Sequence, residues 1–178
     1  MPATADAHST QKVAGRYTIL SLLGTGGMAK VYRVNDDSLD RVVALKQLVS
    51  TEAAAAELFE AEFHTLAGLK HRAIIEVYDY GVGEDGPYYT MELLDGGDVS
   101  SQVPMNWQLV CECLRDVGGA LALVHRRQLV HRDLSPRNVW RTEHRGFKVI
   151  DFGALTHFGV ADAIVGTPGF MPPESAMS

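Results

Sequence analysis

The spacing of apolar and polar positions changes several times along the chain, and each change marks an element. Arg16-Tyr17-Thr18-Ile19-Leu20 opens a strand, and Val43-Ala44-Leu45-Lys46 reads as another. Thr51 to Lys70 is rich in Ala, Glu and Leu and predicts one helix. Leu58, Glu62, Leu66 and Leu69 recur at three- and four-residue steps and share its apolar face. His71 to Tyr80 and Tyr88 to Leu94 read as two strands around the turn Gly83-Glu84-Asp85-Gly86-Pro87. Pro104 to about Arg127 predicts a long helix with the stripe Trp107, Val110, Cys111, Leu114, Val117, Leu121 and Val124. Gly118-Gly119 in its middle costs roughly 1 kcal/mol each against Ala, which predicts close approach of another backbone. Phe147-Lys148-Val149-Ile150 is a short apolar run of strand type. Met1 to about Gly15 has no periodicity and reads as a disordered leader.

Composition narrows the function classes. A chain of 178 residues has room for one sizeable core. A net charge of −6 argues against nucleic acid, whose binding needs basic side chains to displace counterions. No apolar run is long enough to span a membrane, and no secretory signal is expected. Cys111 and Cys113 lie two apart, so on a helix they do not share a face; a disulfide or metal site there is not expected, and a reducing cytoplasm suits them.

Two polar positions stand out against the apolar pattern. Lys46 lies in a valine- and leucine-rich run, where an unpaired ammonium is costly, so it needs a carboxylate or a phosphate. Glu62 sits within the apolar stripe of the first helix and is the candidate partner. The plain alternative is that Glu57, Glu60 or Glu62 simply faces water. Gly24-Thr25-Gly26-Gly27-Met28-Ala29-Lys30-Val31 lies between two strand-like runs. Its glycines let a backbone approach phosphate oxygens and donate N–H groups to them.

His131-Arg132-Asp133-Leu134-Ser135-Pro136-Arg137-Asn138 resembles the catalytic loop of protein kinases, and Asp151-Phe152-Gly153 follows it. Phosphoryl transfer needs a carboxylate near the attacking hydroxyl and oxygen ligands for Mg²⁺. The resemblance implies that Asp133 takes the first role and that Asn138 and Asp151 hold metal. Lys46 and Glu62 would position the α- and β-phosphates of ATP. Gly24, Thr25, Gly26 and Gly27 would cover the phosphates. Val31 and Ala44 would lie on one face of the adenine ring and Trp140 on its floor. Met91-Glu92-Leu93-Leu94-Asp95-Gly96-Gly97-Asp98 resembles the linker between kinase lobes, so Glu92 and Leu94 would bind the adenine edge and Asp98 the ribose. A helix N-cap is the plain alternative for Asp98. Leu66, Val77, His131 and Phe152 would form an internal column. Gly166-Thr167-Pro168-Gly169-Phe170-Met171-Pro172-Pro173-Glu174 is similar to the activation-segment end of serine/threonine kinases, with Thr167 marking that class.

The resemblance is to the bacterial-type, eukaryotic-like serine/threonine protein kinases, over roughly Arg16 to Glu174. It implies an α+β, two-lobed fold: residues 16–94 as a five-stranded antiparallel N-lobe with one helix, and residues 95–178 as a partial helical C-lobe. Five positions depart from it. Ser135 stands where serine/threonine kinases carry a lysine, and Arg137 is expected to take over its charge-screening role. Trp140 replaces an aliphatic floor residue and could stack, tilt or block. Ala29 replaces the last loop glycine. The segment from Ala154 to Val165 is short; Thr156 is its hydroxyl, and Asp162 is a candidate permanent anion for Arg132. The helices that normally follow Pro-Pro-Glu do not occur in these 178 residues; a fragment of a longer chain is the plain reading, a natural short form that borrows those contacts from a partner is the alternative, and either predicts open apolar surface, for example on the 104–127 helix. The expected function is transfer of the γ-phosphoryl of ATP to Ser or Thr of a protein substrate, with no nucleic-acid or membrane partner. The alternative is a truncated or pseudokinase scaffold that binds nucleotide without turnover. A small-molecule phosphotransferase is a weaker rival, because such enzymes lack the 166–174 stretch.

Overall fold

The computed structural model describes residues 11–159 and 166–171. They fall into two compact units, residues 11–56 with 79–93, and residues 57–78 with the described part of 94–171.

The first unit is a sheet in the order β1-β2-β3-β4-β6-β5. Its strands are β1 (Lys12–Val13), β2 (Tyr17–Thr25), β3 (Ala29–Asp36), β4 (Arg41–Leu48), β5 (Val77–Gly83, from Asp79 onward in this unit) and β6 (Gly86–Met91). The pairings β1–β2, β2–β3, β3–β4 and β4–β6 are antiparallel. β4 lies between two strands and buries Val43, Ala44, Leu45 and Leu48, whereas β2 is mostly exposed beyond Ile19. A polar knot ties three strands together. Arg16 donates through Nε and Nη2 to the two oxygens of Asp36, each at 2.7 Å, and Nη2 also reaches Asp79 at 3.1 Å. The Arg16 hydrogen bond holds the Asp36 carboxyl below the usual carboxylate range, although the side chain is almost fully buried. Burial pushes the neighbouring Tyr17 hydroxyl up to about 12.

The second unit carries most of helix α1 (Ala53–Ala67), helix α2 (Trp107–Arg126), and the short strands β7 (Gly97–Asp98), β8 (Leu129–Val130), β9 (Val139–Arg141), β10 (Phe147–Val149) and β11 (Thr156–His157). Two 3-10 turns, Val99–Gln102 and Pro136–Asn138, complete it. β10-β9-β7 form one small sheet and β11-β8 another. Asn106 caps α2, its side-chain oxygen accepting from the Leu109 N–H at 2.9 Å. The core includes Val124, Phe147, Val149 and Phe152, each almost wholly buried. Asp116 is also buried. Burial works to raise its pKa, but the Arg115 hydrogen bond, the Phe147 N–H at 3.1 Å and nearby Arg72 outweigh burial and lower it. That carboxylate joins α2 to β10 and to residue 72.

Several expectations change. The leader reading does not hold for residues 11–15: Lys12–Val13 is a strand, because Val13 buries its side chain and Lys12 pairs with Asp37 at 2.9 Å. Residues 1–10 lie outside the described residues. The sheet therefore has six strands where five were expected. Residues 57–78, expected within one N-lobe of 16–94, sort with the second unit: the Ile75 N–H donates to the Val149 carbonyl and the Val149 N–H to the Ala73 carbonyl. The strand expected over 71–80 starts only at Val77. On α1, Leu58 is exposed and Phe59 takes its place beside Phe63 and Leu66. On α2, the N-terminal half of the predicted stripe is open, with Trp107 at 71% and Leu114 at 68% exposure, while Asp116, Val117, Ala120 and Val124 form the buried face. Gly119 faces the His71 ring, where a Cβ would lie 3.3 Å from Cε1, so a side chain rather than a backbone makes the close approach. Nothing in the structure explains Gly118.

Candidate functional site

In the second unit, the 131–138 loop holds its shape through three local features. Arg132 has φ +65°, a left-handed backbone that costs roughly 1–3 kcal/mol in a non-glycine residue and persists where surroundings over-determine it. Gly166 explains part of that constraint. Its φ is +141°, and a Cβ there would lie 2.9 Å from the Arg132 carbonyl oxygen, so only glycine lets the 166–171 stretch rest on the loop. The turn Pro136–Asn138 then carries Asn138 back, its N–H donating to the Ser135 carbonyl at 3.0 Å.

Asp133 is the centre of this arrangement. Asn138 Nδ2 donates to the Asp133 carbonyl at 2.8 Å and to Oδ2 at 3.1 Å, while Thr167 Oγ1 donates to Oδ1 at 2.6 Å. A carboxylate offers about four acceptor positions, so each oxygen retains room for another donor. With its Nδ2 committed to Asp133, Asn138 keeps its Oδ1 as an acceptor oxygen. The Asn138 carbonyl accepts from the Ile150 N–H at 3.0 Å, which sets Asp151 next to the loop. Asp151 Oδ1 accepts from the Gly153 N–H at 3.1 Å. Phe152 is buried against His131, ring centroids 4.9 Å apart. Burial lowers the His131 pKa, against the opposing charges of Asp151 and Asp133.

Glu62 is buried, whereas Glu57 and Glu60 are exposed, which settles which carboxylate of α1 turns inward. Its Oε2 lies 3.7 Å from where a Gly153 Cβ would stand, so Glu62 belongs beside the Asp151–Gly153 turn. Leu66, also buried, lies one turn further along the same face.

The other end of the linker resemblance is also fixed. β7 pairs with β9, placing Asp98 opposite Trp140. Asp98 caps the 3-10 turn, Oδ1 accepting from the Ser101 N–H at 3.1 Å and from the Ser100 hydroxyl. The plain alternative for Asp98, a cap of the helical turn, is therefore present. The Ser100 hydrogen bond lowers its pKa. The indole of Trp140 donates its N–H to the Asp95 carbonyl at 2.6 Å, which ties the ring to that stretch. Ser135, at the lysine position, is buried, and its hydroxyl has no hydrogen-bond partner among the described residues. Arg137 is exposed. Thr156 pairs with Val130 in β11–β8. Asp162 and Glu174 lie outside the described residues.

In the first unit, Gly24 and Thr25 end β2, opposite Val31 and Lys30 of β3, and the Gly26 N–H donates to the Ala29 carbonyl at 2.8 Å. Neither Gly24 nor Gly27 has any atom within 4 Å of a built Cβ, and Gly26 meets only a 3.5 Å contact. None of the three has a positive φ. The fold itself therefore does not require glycine here; an approaching ligand would. Lys46 pairs across the sheet with Val31 and Tyr89, its Nζ 5.5 Å from the Tyr89 ring centroid. Ala44 pairs with Met91, and Ala44, Met91 and Glu92 are buried. Leu94 is half-buried.

The residues fit ATP and a hard cation. An open glycine hairpin suits phosphates. Asn138 and Asp151 supply oxygen atoms, and no group of three or more His, Cys, Asp or Glu side chains among the described residues forms a metal cage. A cation held by so few protein ligands must bring its own oxygens, as Mg²⁺ on phosphates does. Sequence reading missed two contacts. Thr167 was legible only as a class marker, not as a partner of Asp133, and Asp95 gave no signal as an acceptor for Trp140.

The comparisons agree with this geometry. The protein kinase domain model matches residues 17–177. The chain is 34% identical over 183 residues to the serine/threonine-protein kinase PknL of Mycobacterium tuberculosis, covering 96% of this chain and 46% of that protein. It is 32% identical to PrkC of Bacillus subtilis, covering 93% of this chain and 28% of PrkC. It is 37% identical to PksC of Streptomyces coelicolor, covering 92% of this chain and 33% of PksC. The chain thus spans half or less of the length of these relatives. On the domain match and the residues that carry it, the chain belongs to the protein kinase family.

Proposed function

We propose that the chain is the catalytic part of a protein kinase that moves the γ-phosphoryl group of ATP to Ser or Thr hydroxyls of a protein substrate. The observation that carries this reading is the Thr167 hydroxyl on Asp133 Oδ1 at 2.6 Å. Asp133 already receives an aliphatic alcohol, the group a Ser or Thr substrate presents. The bound nucleotide and Mg²⁺ supply the phosphoryl group and neutralise its charge. Asp133 orients the attacking hydroxyl and accepts its proton, and Asn138 keeps that carboxylate aimed through Nδ2. Asn138 Oδ1 and Asp151 hold the cation. Lys46 and Glu62 position the α- and β-phosphates, and Gly24, Thr25, Gly26 and Gly27 lie over them. Val31, Ala44, Met91, Glu92, Leu94 and Trp140 take the base, Asp98 takes the ribose, and Arg137 screens the moving charge in place of the lysine that Ser135 replaces. Among the described residues no helix is long and apolar enough to cross a membrane. Cys111 and Cys113 are free thiols, which suits the cytoplasm.

A second reading, a nucleotide-binding scaffold without turnover, is favoured by the open apolar face of α2 at Trp107, Val110 and Leu114. One experiment separates the two. Thermal denaturation with and without ATP and Mg²⁺ is run beside a γ-phosphoryl transfer assay, on the native chain and on Asp133→Asn. The kinase reading expects ATP to raise the midpoint in both, with transfer only in the native chain. A raised midpoint with no transfer in either supports the scaffold.

A further inference from the structure

We propose that Trp140 is a positioning residue for the sugar of the bound nucleotide: its indole fastens the Asp95–Asp98 stretch to β9 and so fixes Asp98. The inference rests on the nucleotide reading above. Asp95 and Gly96 are exposed, and an exposed stretch of this kind is ordinarily free to move. Here its polar groups are tied one after another. The Trp140 N–H takes the Asp95 carbonyl at 2.6 Å, and the Glu143 N–H takes Asp95 Oδ1 at 3.0 Å. The Gln102 side-chain amide donates to the Gly97 carbonyl at 3.1 Å, and Arg141 Nη1 holds the other end of that amide at 3.2 Å. Gly96, at φ +81°, lies so close to β9 that a Cβ would stand 2.1 Å from the Arg141 carbonyl oxygen.

The same residue thus acts twice. The Trp140 backbone pairs with Asp98, and its side chain reaches back three residues to Asp95. Burial does not demand this fastening, since the stretch contributes nothing to the buried core. A side chain that must stand still demands it. Asp98 Oδ1 accepts from the Ser100 hydroxyl and the Ser101 N–H, bonds that hold the carboxylate in place for a ligand hydroxyl to reach Oδ2. An aliphatic residue at position 140 has no side-chain N–H and makes no such tie.

The test compares dissociation constants for ATP and 2′,3′-dideoxy-ATP, each with Mg²⁺. Hydrogen bonds from sugar hydroxyls to a charged acceptor predict that the native chain prefers ATP by about tenfold. Trp140→Phe, which keeps the ring and loses the N–H, is expected to reduce that preference to within about twofold, as Asp98→Ala does. Gly96→Ala, which leaves the indole intact and forces the stretch off β9, is expected to do the same, and it decides the matter if Trp140→Phe fails to fold. A native-like preference in either folded variant overturns the proposal, and so does a native chain that binds both nucleotides equally. A ring that only stacks on the base would show in Trp140→Leu as equal loss for both nucleotides, with Trp140→Phe unchanged. A native chain that binds neither nucleotide ends the nucleotide reading itself, and this proposal with it.

Discussion

At the scale of single residues, two carboxylates in similar sequence surroundings have different fates. Glu62 turns inward on α1 and Glu60, two positions away, faces water, because two steps on a helix rotate the side chain by more than half a turn. Its neighbours give a direct check. Phe59→Ala removes a ring from the buried face and is expected to cost about 3–5 kcal/mol. Leu58→Ala, on the open face, is expected to change stability by less than about 0.5 kcal/mol. Urea denaturation of the two variants checks the pair, and equal losses would put the helix in the wrong rotation. Asp116 is a second residue-scale case. Asp116→Ala leaves the buried Phe147 N–H without its acceptor and is expected to destabilise by about 1–3 kcal/mol. The sequence did not mark this residue: its neighbours in space are Arg72, Arg115 and Phe147, and only Arg115 is near it in the chain.

At the scale of elements, the glycine hairpin between β2 and β3 separates folding from binding. A methyl group at Gly26 meets nothing closer than 3.5 Å, and no positive φ forbids it. Gly26→Ala is therefore expected to leave the denaturation midpoint unchanged or slightly raised, since it also reduces the freedom of the unfolded chain. ATP affinity is expected to fall about tenfold or more, because the methyl occupies the face that the phosphates would approach. Calorimetric titration beside thermal denaturation tests this, and unchanged affinity would mean the hairpin covers nothing. The short strands were legible where alternation or an apolar run was uninterrupted, as in β4, β6 and β10. They were not legible at β1, where two residues gain their strand character from the β2 edge alone. The stripe along α2 shows the same limit. Periodicity marked Trp107 and Leu114 as apolar positions, but burial depends on what packs against each turn, and only the second half is covered.

At the scale of the molecule, acid stability gathers contributions from several groups. The His131 pKa is lowered by burial, so between that value and the ordinary one near 6.5 the unfolded chain binds a proton that the folded chain does not. Stability therefore falls as the pH drops through about 6.5. The Arg16 bond depresses Asp36, and Asp116 is depressed despite its burial. Their contribution is present above about pH 4 and is lost as the pH falls through the folded values. Denaturation midpoints measured from pH 8 to pH 3 are expected to show two descents, the upper one absent in His131→Phe. A flat profile between pH 7 and pH 5 would remove His131 from the account.

The sequence by itself determined the family, and it nominated the residues proposed to carry the chemistry. The spacing of Asp133, Asn138 and Asp151 and the glycine hairpin before Lys46 match what phosphoryl transfer would need, and such a match is legible from residue type at short range. Contacts made across the fold were decided only by the tertiary structure: Thr167 on Asp133, Gly166 on the Arg132 carbonyl, the Trp140 indole on Asp95, and Phe59 rather than Leu58 on the inner face of α1. The physical reason is that a hydrogen bond or a buried face depends on partners brought near by folding, and distance along the chain carries no record of them.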